Sequence, residues 1–237
     1  MATGATTAGG HGAFLEGLSG RFRDRRNVDL RDFIARCVAR RAAPGPFRIV
    51  DLGGSFAYWE RVGLDFLAAH DIRVTCINQS EGELKLDRPG GDRLTAEIGD
   101  ACRLAHYADD SFDLVHSNSV VEHVGGYADM QAFAAETRRL APAYYVQTPY
   151  AWFPIDPHFP RLPFYHWLPV SLQLKAQRRF KLGWAGPARD VAHAMRHIEG
   201  TVLLDRTRMR DLFPDARHRF ERLALLPKSM IAEREQR

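Results

Sequence analysis

The first part of the chain is patterned for helix and then for a buried strand. Between residues 13 and 41, apolar side chains recur mostly three and four positions apart, with Arg and Asp between them, which predicts one or two amphipathic helices. The stretch APGP at 43–46 ends that pattern. Residues 47–52 are a short apolar run that enters Gly-Gly, as expected of a buried parallel strand ending in a tight turn.

From residue 58 to residue 147 the chain alternates between helical and strand patterns. The predicted helices cover 58–70, 80–88 and 128–140, and the predicted strands cover 73–78, 94–98, 112–117 and 144–147. This alternation predicts a doubly wound α/β fold. Its mostly parallel sheet would be covered by helices on both faces, through right-handed crossovers.

The alternation stops after the fifth strand. Six prolines between residues 149 and 169 are interleaved with aromatic residues, which is too irregular for a core strand or a long helix. We interpret residues 150–200 as an insertion that forms a lid. Beyond it, the pattern predicts a helix over 206–213 and an antiparallel hairpin over 218–231 at the edge of the sheet.

Length and composition place these elements in a single domain over 13–237, with 13–42 as a helical cap. The chain has 237 residues, of which 45% are hydrophobic and 26% charged, which suits one compact core. Residues 1–12 are nearly all Ala, Thr and Gly, so we expect a disordered tail there.

Charge and cysteine content indicate which partners and which cellular compartment to expect. The net charge of +4 is small and spread along the chain, which does not favour a nucleic-acid partner. The three cysteines, Cys37, Cys76 and Cys102, form no CxxC pair. Since no run of about 20 apolar residues occurs either, we expect a soluble protein in a reducing cytoplasm.

Polar residues follow four successive predicted strands, and the carboxyl ends of parallel strands are where open α/β sheets bind ligands. Glycines there let a ligand approach the backbone, and the next helix offers N–H groups to a carboxylate or phosphate. Each cluster alone also fits a structural turn or a helix cap, but four at four strand ends favour a ligand site. The clusters are Asp51-Leu52-Gly53-Gly54-Ser55, Asn78, Gly99-Asp100-Ala101 and Ser117-Asn118-Ser119.

These stretches resemble the successive motifs of bacterial class I S-adenosylmethionine-dependent methyltransferases over roughly residues 47–150. The resemblance is carried by RIVDLGGSFAYWE, VTCINQSEGEL, GDACRLAHYADDSFDLVHSNSVVEHV and YYVQTPY, and less specifically by LFPDARHRFERLALLPKSMIAER near the end. It implies a Rossmann-like, mostly parallel seven-stranded sheet with an antiparallel edge strand. A dinucleotide site fits less well, because GxGxxG would need glycines where Ser55 and Tyr58 stand.

The resemblance also implies roles in binding S-adenosylmethionine. Asn78 would meet the ribose, Asp100 and the Ala101 amide would read the adenine, and Ser119 would lie close to the sulfonium. The methionine part would be cradled by Asp51, Gly53, Gly54 and Ser55. Two departures affect these expectations: Ser55 replaces the family's third glycine, and Asn78 replaces its usual ribose-binding acid, which leaves a cofactor-binding, non-catalytic protein as an alternative.

Two histidines are candidate catalytic residues. A neutral imidazole can accept a proton from an oxygen or nitrogen nucleophile, and His123 follows the fourth strand while His158 lies in the insertion. A structural role at a helix start is the alternative for His123. Asp156, His158 and His166 give no recognised metal geometry, so we predict no metal.

The sequence says least about the molecule that accepts the methyl group. The insertion gathers aromatic side chains of the kind that line pockets for flat or apolar ligands, so we predict methyl transfer to an oxygen or nitrogen of a small apolar or aromatic molecule. The same aromatic residues could simply close the core. Basic and aromatic residues around Lys175, Arg178 and Phe180 keep open a lipid or macromolecular acceptor at a membrane surface.

Overall fold

The computed structural model describes residues 9–84, 91–183 and 186–236, with side chains from Arg25 onward except at positions 83 and 91. The strands are β1 Phe47–Leu52, β2 Ile72–Asn78, β3 Leu94–Ile98, β4 Leu114–Asn118, β5 Ala143–Pro149, β6 Arg217–Leu223 and β7 Leu226–Arg234. The helices are α1 Gly9–Arg40, α2 Phe56–Val62, α3 Leu64–Ala69, α4 Glu81–Leu84, α5 Tyr127–Leu140, α6 Val170–Arg179, α7 Val191–Glu199 and α8 Arg206–Leu212. Short 3₁₀ turns occur at Gly91–Arg93, Val121–His123 and Tyr165–Trp167.

All seven strands form one sheet in the order β3-β2-β1-β4-β5-β7-β6. The first five pair in parallel, which confirms the doubly wound α/β prediction. The predicted hairpin at the sheet edge is also confirmed. Within it β7 is the antiparallel strand and lies between β5 and β6, so the outermost strand, β6, runs in the same direction as the parallel set.

The strand side chains alternate between two cores. Val50 and Tyr144 belong to the core that includes residues of α5 and α8, whereas Ile49 and Tyr145, their neighbours in sequence, belong to the core that includes residues of α1, α2 and α3. Successive side chains of a strand point to opposite faces of a sheet. The sheet is therefore covered on both faces, as the near-continuous apolar strands predicted.

The N-terminal cap is one continuous helix rather than two. The helix α1 begins at Gly9, inside the segment 1–12 for which we predicted a disordered tail, and residues 1–8 lie outside the described part of the chain. Extending an existing helix by a turn costs far less than nucleating one, so a poorly patterned segment can continue an amphipathic helix.

Two predicted helices differ in extent from the helices in the structure. The segment predicted as a helix over 58–70 is divided into α2 and α3 at Gly63, whose φ of +118° favours glycine. A β-carbon there would also lie 2.8 Å from the guanidinium of Arg31. Of the helix predicted over 80–88, α4 covers Glu81–Leu84, and residues 85–90 lie outside the described ranges.

The insertion after β5 is built from short helices. The helices α6 and α7 pack against each other, and a small separate core forms from Phe159, Tyr165 and Leu182. The two ends of the segment are joined where the N–H of Ala151 donates to the carbonyl of Leu204 at 2.9 Å, and the N–H of Tyr150 donates to the carbonyl of Lys228 in β7 at 3.0 Å. Within the described residues, no helix combines the length and the apolar character needed to cross a membrane.

Candidate active site

The turn after β1 is held tightly against the neighbouring strands. Gly53 has a φ of +78°, and its N–H donates to the carbonyl of Ile77 at 2.8 Å. A β-carbon at this position would lie 2.2 Å from a methyl group of Val120. Glycine is therefore required here both by the left-handed backbone and by the close approach of the β4 end.

A buried polar network lies beneath this turn. The Asp51 carboxylate is only 2% exposed and accepts hydrogen bonds from Trp59 Nε1 and His116 Nδ1, each at 2.7 Å. The hydroxyl of Tyr58 contacts the other nitrogen of His116 at 3.2 Å. With both oxygens bound from within the protein, Asp51 fixes the turn from below.

A cavity of about 430 Å³ opens at the carboxyl ends of β1 to β4, and we call it the strand-end cavity. The sheet order reverses between β1 and β4, the position where doubly wound sheets bind their ligands. The lining residues are Gly53, Ile77, Asn78, Gln79, Gly99, Ala101, Ser119, Val120, His123 and Val124.

The structure brings four of the predicted cofactor-binding residues to the wall of the strand-end cavity: Gly53, Asn78, Ala101 and Ser119. The other four, Asp51, Gly54, Ser55 and Asp100, do not line it. Ser55 occupies the N-cap position of α2 without a side-chain cap bond. Asp100 is exposed beside Ala101.

The polar side chains at the cavity are oriented by local hydrogen bonds. Asn78 donates to the carbonyl of Gly54 at 3.3 Å and accepts from the N–H of Gln79 at 3.0 Å. One oxygen of Asp100 accepts the N–H of Cys102 at 2.9 Å. Ser119 has a φ of +59°, and its hydroxyl lies 3.2 Å from the side-chain oxygen of Gln147.

A second cavity, the lid cavity, lies between the insertion and the 3₁₀ turn Val121–His123 and has a volume of about 330 Å³. It is lined by His123, His158, Phe159, Gln177, Gly183, Gly186, Arg196, His197, Gly200 and Thr201. His123 also lines the strand-end cavity, so this one side chain borders both cavities.

The two predicted catalytic histidines, which are 35 residues apart in sequence, meet at this border. The Nε2 atoms of His123 and His158 are 2.9 Å apart. His123 Nδ1 lies 2.8 Å from the carbonyl oxygen of Gly200. His158 Nδ1 lies 2.7 Å from the carboxylate of Asp156, which is itself only 2% exposed.

Glu122 completes this cluster from the protein interior. Its side chain is fully buried, and one carboxylate oxygen accepts the hydroxyl of Thr148 at 2.9 Å. The other oxygen has no hydrogen-bond partner among the described residues. Burial raises the pKa of Glu122 to about 7, because a low-dielectric environment disfavours the charged carboxylate.

His166, the second histidine of the insertion, takes no part in this arrangement. His166 Nε2 lies 2.9 Å from the carbonyl oxygen of Ala151, and its ring lines a third cavity of about 480 Å³ together with Trp152 and Trp167. Asp156 and His158 lie together, but His166 lies apart from them, so these three residues are not gathered at one point.

Several residues of the site were missed by sequence reasoning. Glu122 stands beside His123 in the motif VVEHV. Nothing in the sequence indicated that His158 of the insertion would lie close to both of these residues. Gln177, Arg196 and His197 reach the lid cavity from α6 and α7. Those helices carried no motif, so no sequence signal could have identified these residues.

The strand order, the reversal between β1 and β4 and the cavity at that point define a class I methyltransferase fold. Among solved structures, magnesium protoporphyrin IX methyltransferase from Synechocystis PCC 6803 superposes with a TM-score of 0.52 at 15% identity, over 98% of this chain and 89% of that chain. The carbon methyltransferase CurJ gives 0.56 at 10% identity, over 88% and 54%. Phosphoethanolamine N-methyltransferase 2 of Haemonchus contortus gives 0.51 at 14%, over 83% and 38%.

These likenesses establish the fold, and a sequence-family match covers part of the chain. The chain spans about half of the CurJ chain and under half of the Haemonchus contortus chain. Residues 59–142 match the family described as Methyltransferase domain. No curated protein matches the chain. Residues 59–142 thus match a methyltransferase-domain family, and the fold around them is that of class I S-adenosylmethionine-dependent methyltransferases.

The strand-end cavity fits the cofactor of this class. Its volume lies within the range of about 300–1,000 Å³ typical of small-molecule sites. The β1 turn presents backbone to the cavity at Gly53, Asn78 offers both a donor and an acceptor at the end of β2, and the Ala101 backbone borders it at the end of β3.

Proposed function

We propose that the enzyme transfers a methyl group to an oxygen or nitrogen of a small molecule bound in the lid cavity. The observation that carries the proposal is that His123 borders both the strand-end cavity and the lid cavity. A donor in the first and an acceptor in the second would meet at this side chain. Bound S-adenosylmethionine supplies an already activated methyl group, so the chain must chiefly align the reactants and exclude water.

We propose that the cofactor contacts follow the order of the strands. Gly53 gives backbone access for the methionine part, Asn78 meets the ribose, and Ala101 with the exposed carboxylate of Asp100 reads the adenine. Ser119 lies near the sulfonium. Asp51, with Gly54 and Ser55, serves by shaping the turn, since the Asp51 carboxylate is held by Trp59 and His116.

The lid cavity supports an acceptor that is partly apolar and carries a polar reacting group. Phe159 supplies an aromatic wall, while Gln177, Arg196 and Thr201 supply hydrogen-bonding groups. His123 and His158 face the space where the reacting oxygen or nitrogen would lie. Their imidazoles are the groups placed to activate it, with Asp156 orienting the ring of His158.

Calorimetric titration tests the cofactor part of the proposal. The purified protein should bind S-adenosylmethionine and S-adenosylhomocysteine with micromolar affinity and should not bind NAD. Absence of binding by both sulfur compounds would refute the assignment of the strand-end cavity.

An acceptor screen tests the transfer. Phenols, hydroxylated aromatic acids and aromatic amines would be incubated with cofactor labelled in the methyl group, and the label should appear in one chemical class. His158→Ala should lower kcat on that acceptor by about 10²–10⁴-fold, the usual contribution of a positioned acid–base group. Equal rates in the two proteins would remove His158 from the chemistry.

A further inference from the structure

The imidazole pair at the border of the two cavities has an unusual arrangement of lone pairs. The carbonyl oxygen of Gly200 can only accept a hydrogen bond, so His123 carries a proton on Nδ1. The Asp156 carboxylate likewise accepts from His158 Nδ1. Each neutral ring then directs the lone pair of Nε2 at the other ring, across 2.9 Å. Two facing lone pairs repel unless a cation lies between them.

Glu122 provides a third donor at the same point. One donor atom from each of Glu122, His123 and His158 lies within 4.8 Å of the other two. One oxygen of the buried Glu122 carboxylate has no hydrogen-bond partner among the described residues. A carboxylate oxygen buried without a partner is costly, and a cation bound beside it would remove that cost.

We propose that Glu122, His123 and His158 bind a divalent transition-metal ion of the zinc type, with its open coordination positions directed to the lid cavity. This inference rests on the proposed function and names how the acceptor is activated there. Two imidazole nitrogens and one carboxylate are a ligand set used by catalytic zinc sites. Asp156 would be the outer carboxylate that orients a ligating imidazole.

The distances require only small adjustments. Ligands about 2.1 Å from a tetrahedral ion lie about 3.4 Å apart, so the two imidazole nitrogens, now 2.9 Å apart, would separate by about half an ångström. The Glu122 oxygen lies within 4.8 Å of both nitrogens, so it would move inward by roughly 1.4 Å at most. Glu122 and His123 are adjacent in the 3₁₀ turn Val121–His123. His158 is fixed to Asp156 through both its ring and its backbone N–H, so the site is largely formed without the ion.

The ion would act on the acceptor rather than on the cofactor. An acceptor hydroxyl bound to it loses its proton to water at a lower pH than a free hydroxyl does. The resulting oxygen anion then forms the new C–O bond, while the S–CH₃ bond breaks and leaves its electron pair on sulfur. Under this arrangement His123 and His158 hold the ion, and the proton leaves from the acceptor itself.

Cobalt provides a direct readout that does not depend on activity. The full chain, freed of metal with a chelator, would be titrated with Co²⁺ and followed by visible absorption, then displaced with Zn²⁺. We expect one Co²⁺ per chain, with the strong bands of a low-coordinate site. His158→Ala and Glu122→Gln should each weaken binding by more than tenfold, and Asp156→Asn by about 10–100-fold, as for other outer-shell carboxylates.

His197→Gln is the matched control, because His197 lines the same cavity but does not belong to the three-residue cluster. Its affinity for Co²⁺ should equal that of the unmodified chain. Circular dichroism of each variant would establish that it is folded. Absence of stoichiometric Co²⁺ binding, or binding unchanged in folded His158→Ala and Glu122→Gln, would overturn the proposal and leave a proton shared between the imidazoles.

The metal-binding proposal and the methyl-transfer proposal can fail independently of each other. Methylation that persists in excess chelator would refute the metal while leaving the transfer function intact. Stoichiometric Co²⁺ binding without methylation of any acceptor would support the metal site and refute the proposed function.

Discussion

Asp51 near the end of β1 and Gly54 in the turn that follows it stabilise that turn in different ways. Gly54 is buried directly above the Asp51 carboxylate, and a β-carbon on it would lie 2.2 Å from the oxygen that accepts from Trp59. The motif therefore needs glycine at this position to leave room for a neighbouring acid.

Replacing Gly54 by Ala should destabilise the protein through this contact. The carboxylate would have to rotate away from Trp59 or His116, and loss of a hydrogen bond to a buried charged group costs about 1.5–3 kcal/mol. Urea denaturation would measure the loss. Gly82→Ala is the control, since no atom of the described residues lies within 4 Å of a β-carbon placed there. Equal stabilities of the two variants would contradict the expected clash.

Asp100→Ala should weaken the binding of S-adenosylmethionine by about 1.5–3 kcal/mol, as expected for loss of a hydrogen bond from a charged group. Calorimetric titration would measure the change. The exposed Asp109, which pairs with Arg139 and, unlike Asp100, has no sequence neighbour in the wall of the strand-end cavity, provides the control Asp109→Ala. If the two variants bind the cofactor equally well, the adenine assignment is wrong.

At the scale of elements, α1 is attached to the sheet by a nearly buried ion pair. Arg26 contacts Glu221 of β6 through two hydrogen bonds of 3.1 and 2.6 Å and also donates to Asn118 at the end of β4 at 2.9 Å. The cap helix is thereby fixed to both the edge strand and the carboxyl end of the central strands.

Arg26→Ala should lower the free energy of unfolding by about 3–5 kcal/mol, because the nearly buried Glu221 carboxylate loses the guanidinium that pairs with it. Arg36→Ala on the same helix is the control. The Arg36–Glu235 pair is 48% and 24% exposed, and exposed pairs contribute about 0–1 kcal/mol. Urea denaturation at neutral pH would measure the free energy of unfolding of both variants. If the two variants lose similar amounts, burial does not determine the strength of the Arg26–Glu221 pair.

The same pair should make stability depend on pH in acid. Burial disfavours ionisation of Glu221, but the hydrogen bond and charge of Arg26 outweigh it and hold the pKa of Glu221 below its usual range. A depressed folded pKa means that the contribution is complete above the unfolded pKa of about 4.3 and is lost as the pH falls through the folded pKa. Glu221→Gln should flatten that part of the stability profile, and an unchanged slope would contradict the shift.

At the scale of the whole molecule, the two-faced core shields the thiols. Burial raises the pKa of Cys37 to about 12 and also raises that of Cys76. Burial, with the nearby carboxylates of Asp100 and Asp129, raises the pKa of Cys102 to about 11. Thiolate is the reactive form, so all three should react slowly with a disulfide reagent at pH 8.

Labelling followed by peptide mass analysis would check this expectation. Cys102, which is only partly buried, should be modified first, and Cys37 and Cys76 only when the protein unfolds. Because the folded pKa of Cys37 is raised, its thiol favours the folded chain below its unfolded pKa, and that contribution is lost as the pH rises through about 12. Rapid modification of Cys37 in the native protein would contradict its burial in the core.

The sheet and the strand-end cavity could be predicted from sequence because both follow from local pattern. Apolar runs located the strands, and polar residues such as Asn78 and Ser119 followed them at the edge where the cavity opens. The pairing of His123 with His158 could not be predicted, since it depends on the path of an irregular, proline-rich insertion. The burial of the Asp51 carboxylate was equally hidden, because it depends on Trp59 and His116 approaching from two other elements.

The position of β7 within the sheet has a consequence for how the protein is made. Pro149 on β5 pairs with Ser229 on β7, so β5 emerges from the ribosome long before its partner. Until β7 is synthesised, one side of β5 is an open row of backbone donors and acceptors, which invites pairing with other nascent chains. Translation past β7 is therefore the event that closes the sheet, and chaperone protection matters most in the interval before it.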